Sequence, residues 1–118
     1  MELMFPKKTR KKPRKVHPQS ILHKKDGTCY LCMRLNDNYS RYRLTHKHHV
    51  YPGKNRRISE ENGFTVYLCP GHHEFTAAAV HVNYEHMRMI QRDCQREYEK
   101  THTRQQFRSL IGKSYLEE

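Results

Sequence analysis

Apolar positions are sparse along this chain, and their spacing changes character as the chain proceeds. Phe64, Val66 and Leu68 alternate with polar neighbours, which predicts a strand over Phe64–Cys69. The segment from Tyr42 to Val50 alternates more weakly, with Leu44 and Val50 as its apolar members, and predicts a first strand antiparallel to the other. Between them, "KNRRISEENG" predicts a loop with a short helical turn at Ser59 to Asn62, stopped by Gly63. After Cys69 the pattern turns helical. From Asn83 onward Tyr84, Met87, Ile90 or Gln91, Cys94 and Tyr98 fall at three- and four-residue steps, the stripe of an amphipathic helix. A last helix should open at Thr103, whose hydroxyl can pair with Gln106 in a capping box, and end near Gly112. The order is two strands followed by helices, an α+β arrangement with no internal repeat and no second domain.

Composition limits how far such a chain can rely on its core. Of 118 residues 35% are hydrophobic, tryptophan is absent and mean hydropathy is -1.10, so a metal staple is expected. The four cysteines are Cys29, Cys32, Cys69 and Cys94. There is no apolar run of membrane-spanning length and no apolar stretch of secretory type, so membrane association is not expected. Thiolate ligation is then expected in place of disulfides, with a cytoplasmic location.

Charge adds a partner class. Net charge is +11, and residues 1 to 28 hold nine Lys/Arg against two Asp/Glu. In "KKTRKKPRK" the cations are Lys7, Lys8, Arg10, Lys11, Lys12, Arg14 and Lys15, and Pro13 interrupts any helix. Residues 1 to 25 read as a disordered basic arm that can lie along phosphates, or as a solvated tail or targeting cluster; residues 26 to 118 form the single domain, with its core at 28–82 and helices at 83–112. Lys54, Arg56 and Arg57, between the strands, are further candidates for DNA-backbone contacts, or a solvated loop.

The chemistry lies in the cysteines and histidines. Cys29, Cys32, Cys69 and His72 form the pattern C-x2-C-x36-C-x2-H, two knuckles that together supply a closed tetrahedral zinc site. The first knuckle, "CYLC", is expected at the tip of a hairpin. Cys94 lies on the helical stripe and reads as a small buried thiol. If His72 completes the zinc site, His73 points elsewhere, because neighbours at the start of a helix diverge by about 100°. Its companions should be His48 and His49 at the end of the first strand. There a second divalent ion with open positions could polarise a phosphate while one histidine activates water.

"CYLC", "HHVYP" at 48–52 and "YLCPGHH" at 67–73, in that order, resemble the HNH endonucleases and their ββα-metal finger, in particular small phage and prophage members. The likeness covers about residues 28 to 82 at motif level. It implies a zinc-stabilised ββα-metal (HNH) domain with C-terminal helices and a basic N-terminal arm, acting on DNA with Mg2+, Mn2+ or another divalent ion. His49 would be the general base, its ring oriented by a backbone carbonyl or side-chain acceptor, and His48 and His73 would bind the catalytic metal. Two positions depart from the pattern. The middle asparagine of the motif falls on Phe64, and the nearest candidate, Asn62, is also an ordinary turn residue before Gly63. A further histidine in the helix falls on Ala77, leaving His81, about two turns beyond His73, as a third ligand or a surface residue. His46 and Lys47 read as the solvent face of the strand. A non-catalytic zinc-stabilised nucleic-acid-binding module and an accessory nuclease dependent on a recombinase filament are the competing functions.

Overall fold

The computed structural model describes residues 17–75 and 79–116. Helix α1 spans Tyr30–Asn36, strand β1 His46–His49, helix α2 Arg56–Asn62, strand β2 Thr65–Leu68, helix α3 Tyr84–Tyr98 and helix α4 Arg104–Ile111. A 3-10 turn at Gly53–Asn55 precedes α2, and a π-helical turn at Gly71–Phe75 follows β2. The two strands pair antiparallel with His46 opposite Leu68 and His48 opposite Val66. Among the described residues this is an α+β fold with one small sheet.

Several elements form where local chemistry asks for them. Gly63 ends α2 at φ 72°, and a Cβ there would run into the Gln19 carbonyl, so both backbone angle and space require glycine. Asn83 caps α3 by accepting from the His86 backbone, and Thr103 and Gln106 make both bonds of the expected capping box. The core is one cluster: Leu31, Val50, Val66, Leu68, Ile90 and the rings of Tyr51, Phe64 and Phe107. Edge-on contacts join Tyr51 to Phe64 at 5.6 Å and to Phe107 at 5.4 Å between centroids. Cys94 is fully buried on α3, as its place in the stripe predicts.

Other elements differ from expectation. β1 begins only at His46, because the Tyr42 N–H is drawn to the Gly27 carbonyl at 2.8 Å and Arg41 bridges Thr28; Leu44 is left exposed. "CYLC" is the start of α1, not a hairpin tip: Cys29 is the N-cap, and its sulfur accepts from the Cys32 N–H. Helix α2 is longer than one turn, since the Pro52–Gly53 bend leads straight into it. The Ser59 hydroxyl then ties it to both backbone groups of Tyr51 at 3.1 and 2.9 Å. Tyr84, counted in the α3 stripe, is exposed.

The folded unit also starts earlier than residue 26. Ile21 donates to the Gly63 carbonyl, Ser20 bonds the Thr65 carbonyl, and buried His23 sits between the Thr28 hydroxyl and the Tyr67 N–H. Lys7, Lys8, Arg10, Lys11, Lys12, Arg14 and Lys15 lie outside the described residues. No described helix is long and apolar enough to cross a membrane.

Candidate metal centres

The first centre joins the start of α1 to the end of β2. Cys29 and Cys32 come from the first turn of α1, while Cys69 and His72 come from the exit of β2 and the π-helical turn. His72 Nδ1 lies 3.4 Å from each of the three sulfurs, and Cys32 Sγ is 4.0 Å from Cys69 Sγ. Tetrahedral zinc with ordinary bond lengths needs N–S edges of about 3.5 Å and S–S edges of about 3.8 Å. One nitrogen equidistant from three sulfurs is that figure, so this Cys3His group can hold a zinc ion. Cys29, Cys32 and Cys69 are buried, and burial pushes the Cys29 thiol up to about 12. Burial first and then nearby His86 hold His72 below the usual imidazole range, which favours its neutral, ligating form. The Tyr42 hydroxyl, 3.1 Å from Cys32 Sγ, can donate to a thiolate there. Four protein ligands leave no open position.

The second centre is built by the alternation of β1. Side chains two apart share a face of a strand, so His46 and His48 point one way and Lys47 and His49 the other. The His46–His48 face meets His73, and His81 closes the group from beyond the helical turn. One nitrogen each from His48, His73 and His81 lies within 4.8 Å of the other two. His73 Nε2 is 3.0 Å from His81 Nε2, and its Nδ1 is 3.0 Å from His46 Nδ1. Two ligands at about 2.1 Å and a right angle on an octahedral ion would stand about 3.0 Å apart.

His48 supplies the fit test for an ion at this place. It is 3% exposed, and its Nε2 is buried with no hydrogen-bond partner among the described residues. Such an atom is costly unless something satisfies it. Burial, and then His81, His73 and His49, hold its pKa down to about 3, so the ring is neutral and keeps a lone pair for a cation. The donor set therefore fits a divalent ion that accepts imidazole. His81 is exposed, so a position there can stay open to solvent.

The other face of β1 carries a different arrangement. His49 Nε2 is 2.7 Å from Glu60 Oε1, and Lys47 Nζ is 2.9 Å from Glu60 Oε2. The bonds from Lys47 and then His49 hold the Glu60 carboxyl down to about 2. A cleft of about 220 Å3 is lined by Lys47, His48, His49, Pro52, Arg56, His73 and His81. A wider groove of about 630 Å3 adjoins it through His49 and Arg56 and continues along Lys54, Arg57, Glu60 and Glu61. Lys54, Arg56 and Arg57 are exposed, and Arg57 pairs with Glu61 at 3.2 Å.

The structure thus brings together Cys29, Cys32, Cys69 and His72 in one group and His48, His73 and His81 in another, with His49 in the same cleft as the second. It does not bring Asn62 there. The Asn62 amide donates to the Ile58 carbonyl, and the residue lines a separate hollow with Tyr98 and His102. His46, expected on a solvent face, is turned toward His73, a position that strand alternation with His48 could have indicated. Glu60 had no signal in the sequence, because only the packing of α2 against β1 brings it to Lys47 and His49. Comparison with protein-family models, with curated proteins and with solved structures finds no match for this chain, so its functional reading rests on these two centres and the cleft between them.

Proposed function

We propose that this protein is a metal-dependent endonuclease of the HNH type, which hydrolyses DNA phosphodiester bonds and carries a structural zinc ion. The observation that carries the reading is the shared cleft: a histidine triad with a buried, unsatisfied imidazole nitrogen lies beside His49, with Lys47 and Arg56 on the same walls. A binding module has no need of that triad.

In this reading Lys54, Arg56 and Arg57 draw the phosphate backbone along the groove, and the scissile phosphate enters the smaller cleft. His49 takes a proton from a water molecule, whose oxygen attacks phosphorus as the bond to the 3′-oxygen breaks; solvent returns a proton to the leaving oxygen. His48, His73 and His81 would hold a divalent ion, which when bound would supply positive charge to the phosphate and the departing oxygen. His49 is kept off the triad by strand alternation, so its lone pair is not consumed in ligation. The basic arm adds sequence-independent affinity, and a bacterial cytoplasm, for a phage or prophage protein, is the setting the reading implies.

The test is a nicking assay on supercoiled, linear and single-stranded DNA with Mg2+, Mn2+ or EDTA, beside His49→Ala. Metal-dependent nicking that His49→Ala abolishes is expected. Equal nicking by the variant defeats the assignment. Binding without nicking under every metal favours a non-catalytic module, and nicking that appears only with a recombinase filament favours the accessory nuclease.

A further inference from the structure

The parity of β1 puts Lys47 and His49 on one face, and both end on the same carboxylate of α2. Glu60 uses one oxygen for each partner, at 2.9 Å to Lys47 Nζ and 2.7 Å to His49 Nε2, so the carboxylate is held at two points. A carboxylate with a lysine on one oxygen can only accept on the other. The His49 nitrogen facing it must therefore carry the hydrogen.

A second, weaker contact meets the ring at its other nitrogen. Arg56 Nε approaches His49 Nδ1 at 3.5 Å, a long and weak contact, but a guanidinium can only donate. The nitrogen it faces must bear a lone pair. The short Glu60 contact specifies the tautomer, and the long Arg56 contact agrees with it.

We propose that Glu60 is the positioning residue of this site: it holds the Nε2–H of His49 and so makes Nδ1 the atom that takes the proton from water. The chemistry rests on the endonuclease reading; the tautomer is a property of the folded chain whatever reaction it serves. Arg56 lines both the cleft and the groove, so a phosphate that attracts its guanidinium uncovers Nδ1 at the moment water is needed there. A surface ion pair alone, Lys47 with Glu60, would need no histidine and would contribute little.

Long-range 1H–15N NMR of the full, zinc-bound chain distinguishes protonated from bare ring nitrogens, with His49 assigned by its absence in His49→Gln. Hydrogen on Nε2 is expected in the wild type, and a mixture of tautomers in Glu60→Ala. In the nicking assay Glu60→Ala should lower kcat by about 10- to 100-fold, the usual cost of losing such an outer partner, with KM and zinc content unchanged. Glu60→Gln, which keeps an acceptor oxygen, should recover much of the loss. Hydrogen on Nδ1 in the wild type overturns the proposal, as does a Glu60→Ala variant that nicks at the wild-type rate. If the wild type nicks nothing, the endonuclease reading falls, and the NMR tautomer still decides the role of Glu60.

Discussion

The two histidine-bearing centres share adjacent residues and differ in almost everything else. The Cys3His group has three buried cysteines and a partly buried histidine, with three sulfurs and one nitrogen at the corners of a tetrahedron. The histidine triad runs from fully buried His48 to exposed His81 and opens on a cleft. A closed set of soft ligands ties α1 to the end of β2 and supplies stability. The imidazole group stays open to the cleft on its His81 side. His72 and His73 join different groups because successive side chains on the turn diverge, and the π-helical turn delivers one to each side.

The comparison breaks first at the zinc group. Cys32→Ser should remove the bound zinc and with it the cooperative fold, since structural zinc sites of this kind contribute about 10–16 kcal/mol at neutral pH. Circular dichroism melting and elemental analysis check this, and a variant that melts like the wild type would mean that the core alone suffices. At the triad, His81→Ala should leave zinc content and melting unchanged, because the side chain is exposed. It should weaken Mn2+ binding by at least about tenfold, as judged by electron paramagnetic resonance of the free ion. Unchanged Mn2+ affinity would reduce His81 to a surface residue.

Two smaller effects should leave both centres intact. Thr103→Ala removes one half of the α4 capping box and should cost about 1 kcal/mol in denaturant unfolding, with zinc and Mn2+ binding as before. A change at either metal would show that α4 supports the site. The smallest effect concerns pH. Burial lowers the His23 pKa from 6.5, so the unfolded chain takes up a proton near 6.5 while the folded chain does not. Its stabilising contribution is whole above that value and falls as pH drops below it. His23→Gln should lose less stability between pH 7.5 and 5.5 than the wild type does, in paired denaturant titrations; an equal loss assigns the acid sensitivity to other groups.

Much of the zinc group was legible in the chain, and less of the cleft. Two knuckles with two-residue spacing are local patterns, and zinc chemistry demands that their four ligands converge, so Cys29, Cys32, Cys69 and His72 could be grouped without a fold. The capping box at Thr103 and the stop at Gly63 were readable for the same reason. The resemblance gave His48 and His49 separate roles, but the spacing of the residues alone did not say how the chain holds them apart. In the structure it is strand alternation that does so, sending the two histidines to opposite faces. Asn62 shows the converse: its sequence position suggested the site, and the helix end that holds it faces elsewhere.

Local spacing and side-chain chemistry thus determined the Cys3His grouping, the α4 capping box and the strongly basic character of this protein. Tertiary structure decided which face of β1 each histidine occupies, that residues 20–23 belong to the folded unit, and that Glu60 reaches His49 from 11 residues away. Ligand spacing is a property of a few neighbouring residues. The pairing of a strand with a helix depends on the packing of the whole core, and no short pattern encodes it.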